Sequence, residues 1–85
     1  MKFNINHIAR YFITRNGDVF KIINVNTNTV QFKGVLGICI HSKEYERDYN
    51  MRWFLNGQYS YFDNFDHKND LIKEVTPKEY PEYFI

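Results

Sequence analysis

The chain has 85 residues, 44% of them hydrophobic and 19% aromatic, with eleven Lys and Arg against ten Asp and Glu. This length supports one core and excludes a second domain, so residues 1–85 read as a single β domain, with its core over 9–75 and a C-terminal tail over 76–85. The apolar content excludes a disordered chain, and a net charge of +1 lacks the basic excess of a duplex-DNA binder and the acidity of a DNA mimic.

Met1-Lys2-Phe3-Asn4-Ile5-Asn6-His7 interrupts its apolar residues with Asn and His and has no small-residue cleavage site, so it does not read as a signal peptide. A helical turn is expected over 6–10. The strongest local signal follows, Arg15-Asn16-Gly17-Asp18 between two β-rich runs, because Asn-Gly supplies the two positive φ values of a type I′ hairpin. With a two-residue loop, Thr14 would pair with Val19, Ile13 with Phe20, Phe12 with Lys21 and Tyr11 with Ile22. Tyr11, Ile13, Phe20 and Ile22 would then share one face, and Phe12, Thr14, Val19, Lys21 and Ile23 the other.

Asn24-Val25-Asn26-Thr27-Asn28-Thr29 is a turn cluster. From Val30 to Ile40 apolar residues alternate into a long third strand, in which Gly34 and Gly37 suggest a bulge or bend. Residues 42–48 allow a short helix. A second Asn-Gly pair, Asn56-Gly57, then joins 51–55 to 58–62 as another hairpin. Its pairing would put Met51, Trp53, Leu55, Gln58, Ser60 and Phe62 on one face and Arg52, Phe54, Tyr59 and Tyr61 on the other. A closing strand is expected at 71–75, a turn at 77–80, and a Tyr-rich tail packed on a sheet or a neighbouring subunit. The fold class is therefore mostly β: a small antiparallel SH3-like barrel, or a strongly bent sheet, of about six strands with little helix.

Catalytic chemistry is thin. His7, His41 and His67 fall in no zinc pattern, and the Asx-rich segment 63–70 lacks the spacing and terminal Glu of a calcium loop. No metal or cofactor is expected. The one cysteine, Cys39, excludes an internal disulfide and suits a reducing compartment. Cys39 and His41 are the nearest approach to a nucleophile and base, but Ile38 and Ile40 flank the thiol and nothing in the sequence would depress its pKa. An enzyme is not expected.

Sixteen aromatic residues exceed what one small core consumes, which leaves rings for an interface with a ligand, a partner or another copy. The plain reading of Arg52, Phe54, Tyr59 and Tyr61 is core or subunit contact. The sharper one is a stacking platform, rings beside a guanidinium that can pair a phosphate. Arg10, Arg15 and Lys21 could add phosphate contacts if the two hairpins converge.

Thr14-Arg15-Asn16-Gly17-Asp18, then Trp53 through Gly57-Gln58-Tyr59, then Asn69-Asp70-Leu71-Ile72 resembles a loose group of small bacteriophage-encoded accessory proteins. In these a T-R-[DN]-G hairpin opens the chain and a D-L-[IV] strand closes it. The resemblance spans about residues 10–75 and implies a viral gene product acting in a bacterial cytoplasm; it transfers no catalytic residue. The resulting expectation is a non-catalytic counter-defence binding protein that sequesters a nucleotide-type host signal at a homo-oligomer interface. The alternatives are a protein-protein inhibitor of a host defence enzyme or nuclease, using residues 42–48 or the tail, and a structural or single-stranded nucleic-acid module.

Overall fold

The computed structural model describes residues 1–28, 32–60 and 66–84. Its five strands are β1 (Tyr11–Thr14), β2 (Val19–Val25), β3 (Val35–His41), β4 (Asn50–Trp53) and β5 (Leu71–Val75), with short 3-10 helices at Ile5–His7 and Pro81–Phe84. They form one antiparallel sheet in the order β4-β3-β2-β1-β5. The class is mostly β with little helix, as the sequence indicates. Among the described residues the sheet is not closed into a barrel, and it has five strands rather than six.

Of the expected strand over 58–62, the described residues 58–60 are not strand, because the chain leaves the β4 edge after the second Asn-Gly turn. The Tyr59 N–H donates to the Asp70 carboxylate at 2.9 Å, and the Gly57 carbonyl accepts from the Leu71 N–H at 3.0 Å. Residues 58–60 are thus drawn toward the head of β5 instead of pairing with β4. Val30 and Gln31 of the expected third strand, Tyr61 and Phe62 of the second hairpin, residues 63–65 of the following loop, and Ile85 lie outside the described residues.

Both Asn-Gly turns depart from type I′ in the same way. Thr14 donates to the Asp18 carbonyl and accepts from the Gly17 N–H; Phe54 does likewise with Gln58 and Gly57. Only the glycines take positive φ, +93° and +88°, so each loop has three residues ending on a left-handed Gly. Local side chains favour this closure: the Thr14 hydroxyl accepts from the Asp18 N–H at 3.0 Å, and the Asn56 side chain accepts from the Gln58 N–H at 2.9 Å. The extra residue moves the register by one, pairing Phe12 with Phe20 and Ile13 with Val19. The expected faces are therefore regrouped: Phe12 joins Phe20 on the core side, and Tyr11, Ile13, Val19 and Lys21 take the other.

One sheet face carries the core cluster of Phe12, Phe20, Ile22, Val25, Val35, Cys39, Met51, Trp53 and Leu71, capped by Phe3. Phe3 is tied down by its N–H to the Leu55 carbonyl at 2.7 Å and by an edge-on contact with Phe12. Gly37 is not itself a bulge. A Cβ there would lie 2.8 Å from Trp53 Cζ3, so glycine is what lets the indole cross β3. The bulges fall elsewhere: the register slips between Ile22 and Asn24, between Phe20 and Val19 opposite Cys39 and His41, and between Lys73 and Leu71. Ile23, Ile40 and Ile72 are thus the extra residues, each adding local twist.

The opposite face is partly covered by the tail, where Phe84 meets Tyr11 edge-on, Tyr83 lies against His41, and Tyr80 bonds Lys73. The tail packs on its own sheet. Residues 42–48 form turns rather than a helix, and Asp48 takes a φ of +70° where the loop enters β4. No described helix is long and apolar enough to cross a membrane.

Candidate functional site

A depression of about 340 Å³ opens beside β4, lined by Lys33, Leu36, Tyr49, Asn50, Met51, Arg52 and Tyr59. Strand alternation builds its floor: Met51 and Trp53 turn into the core, which leaves Asn50 and Arg52 on the opposite side, beside Leu36 across the β3–β4 ladder. Two cations therefore border one hollow. Neither Lys33 nor Arg52 has a carboxylate within 4.0 Å among the described residues, whereas Arg10, Arg15 and Lys68 all do.

Lys33 is held by rings. Its Nζ lies 3.8 Å from the Tyr59 ring centroid and 5.8 Å from that of Phe54. Burial against these rings pushes its ammonium below the ordinary lysine value. The Tyr59 ring also stacks with His67 at 4.9 Å and 29°. Tyr49 differs: it is 47% exposed and stacks on Tyr45 at 4.9 Å and 21°, so one of its faces is supported and the other is available.

The wall is braced from behind. Asp70 accepts from the Tyr59 and His67 N–H groups, both at 2.9 Å, and Arg15 lies 3.8 Å from the same carboxylate and 3.5 Å from Asp66. His67 Nδ1 in turn accepts from the Asn69 N–H at 3.0 Å, which completes a tight turn under the stacked rings.

Of the residues singled out from sequence, Arg52 and Tyr59 line the hollow and Phe54 stands behind Lys33; Tyr61 lies outside the described residues. Arg10, Arg15 and Lys21, which could have added phosphate contacts had the hairpins converged on one site, do not line the hollow. Arg10 pairs with Glu74 at 3.5 Å on the β1–β5 side of the sheet. Arg15 sits at the hairpin tip, about 15 Å along the strand from Arg10. Lys21 pairs with Ile38 on β3 and is not among the residues lining the hollow. Tyr59 and Arg52 are not neighbours on one hairpin face either; the hollow wraps the β4 edge to reach both.

Sequence reading missed Lys33 and Tyr49. Lys33 looked like a solvated strand position, and Tyr49 fell in a loop whose stacking partner only the fold supplies. Asp70 carried a signal, an Asx just before a strand, that marks a side chain able to fasten nearby backbone.

Cys39 is fully buried, and burial pushes its thiol above the ordinary value. The bulge at Ile40 turns His41 to the opposite sheet face, against Tyr83, so no nucleophile and base are assembled there. Among the described residues no group of three His, Cys, Asp or Glu could hold a metal ion. No protein-family model, curated protein or solved structure matches the chain.

Proposed function

We propose that the chain is a non-catalytic binding protein for a small anion bearing a planar ring, a nucleotide-type ligand, held in the hollow beside β4. The observation that carries this reading is the pair of cations, Lys33 and Arg52, left without carboxylates among the described residues on either side of exposed aromatic surface. Arg52 would clamp a phosphate through its planar fork, Lys33 would add a point charge, and Tyr49 would stack the ring. The volume falls at the small end of ligand pockets, which suits one nucleotide unit and favours completion of the site by a second copy. The bacteriophage setting, the bacterial cytoplasm and a counter-defence role rest on the hairpin resemblance and belong to the same proposal.

Native mass spectrometry of protein purified gently from a bacterial lysate tests it. Extra mass of nucleotide size, lost in Arg52→Ala and Tyr49→Ala while both stay folded, is the expected result. Equal retention in both variants, or protein that carries only a host polypeptide, would refute it. The latter outcome would favour the protein-protein inhibitor, a reading supported by Phe32, which is 71% exposed beside Lys33. The tail is a weaker anchor for that role, since Tyr80, Tyr83 and Phe84 already contact Lys73, His41 and Tyr11.

A further inference from the structure

We infer that Lys33 is the specificity switch of this hollow: its ammonium lies over the Tyr59 ring, and only an anion can draw it away and open that ring for stacking. This rests on the proposed nucleotide-type reading and adds to it a rule of selection, in which charge is read first and the planar ring second.

The Tyr59 ring has two partners, Lys33 Nζ at 3.8 Å and His67 at 4.9 Å. His67 is fixed through its own backbone to Asp70, and its Nδ1 accepts from Asn69. Lys33 is fixed by nothing comparable. No carboxylate holds it among the described residues, its ammonium is partly stripped of water, and its stem has four rotatable carbons. The movable partner is therefore the lysine.

An uncharged planar molecule must displace Lys33 at the cost of the cation-π contact and gains nothing from the displaced charge. An anionic one recovers that cost by pairing with Lys33 and Arg52 together. Tyr49, whose free face needs no such displacement, serves both kinds of ligand. The hollow would thus reject nucleosides that its aromatic lining alone would accept.

The two contributions move in opposite directions when the lysine is truncated. In Lys33→Ala, affinity for adenosine diphosphate should fall about tenfold through loss of a charged contact, while affinity for adenosine should rise about two- to fivefold because the Tyr59 face stands open. Lys33→Arg should restore the preference for the diphosphate. A merely structural role for Lys33 would shift both ligands the same way. Calorimetric titration of the full chain and both variants with adenosine, adenosine diphosphate and inorganic pyrophosphate reads all three effects. If Lys33→Ala weakens both nucleosidic ligands, or leaves adenosine unchanged, the switch is refuted and the anion site stands. If the folded wild-type chain binds neither the diphosphate nor pyrophosphate, the underlying reading fails with it. Proton NMR provides a ligand-free check: the Lys33 ε-methylene signals should be shifted upfield by the Tyr59 ring, and absence of that shift would also overturn the inference.

Discussion

Gly37 shows how a single hydrogen atom can set the shape of a sheet. Its missing Cβ is the space into which Trp53 leans, and the indole N–H then reaches the Asn69 carbonyl at 2.7 Å. Gly37→Ala should destabilise the fold by about 1–3 kcal/mol through overpacking, measured by urea denaturation. Unchanged stability would mean that Trp53 can shift at little cost. Cys39 makes a different residue-scale prediction. Burial raises its thiol pKa in the fold, so the unfolded chain loses that proton first and the stability contribution, fully present below the unfolded value, falls away as pH climbs past about 9. Cys39→Ala should flatten that part of the pH profile in thermal melts. The sequence placed Cys39 among apolar neighbours correctly, but the alternation of residues two apart could not anticipate that Ile40 would be a bulge and separate Cys39 from His41.

At the scale of elements, the two three-residue turns invite a direct comparison. Gly17 and Gly57 share positive φ, yet a Cβ at Gly17 meets nothing within 4 Å, whereas one at Gly57 would come within 3.2 Å of the Leu71 carbonyl. Gly17→Ala should therefore cost about 1 kcal/mol, from left-handed strain alone, and Gly57→Ala distinctly more. Equal losses would show that the Gly57 to Leu71 contact relaxes freely. The existence of both turns, and the span of β5, were legible because Asn-Gly pairs and a short apolar-ended run after a polar loop are local signals. Turn length was not. It depended on whether the Thr14 hydroxyl and the Asp18 backbone closed on each other, and that one-residue difference regrouped every side chain of the first hairpin. Residues 58–60 do not pair with β4 for a longer-range reason, because Asp70 holds the Tyr59 backbone N–H.

The whole molecule determines where charge is left uncompensated. Arg10 and Arg15 looked like phosphate ligands in isolation, but sheet order puts Glu74 beside one and Asp66 and Asp70 beside the other. Arg15 then becomes a brace for the wall that holds Tyr59. Arg15→Ala should weaken nucleotide retention severalfold by loosening Asp70, and the loss should be largely insensitive to added salt. Arg52→Ala should instead reduce the salt dependence of binding itself. A titration series across ionic strength separates the two, and identical salt slopes would remove the distinction. Half of the candidate site, Arg52 and Tyr59, could be found from aromatic alternation. The other half, Lys33 and Tyr49, is adjacent only in three dimensions.

The strand order has a kinetic corollary. β1 through β4 form a simple meander whose contacts join neighbours in the chain, but β5 must cross to the far edge and pair with β1, some sixty residues back. Such non-local pairing closes late in folding and opens early under native conditions. Asp70 stands at the head of β5, so each transient release of that strand would slacken the Tyr59 wall while the meander persists. Amide exchange should accordingly be faster in β5 than in β2 and β3, and a bound nucleotide should slow it there although β5 itself does not line the hollow. The chain would then report occupancy through the lifetime of its last strand.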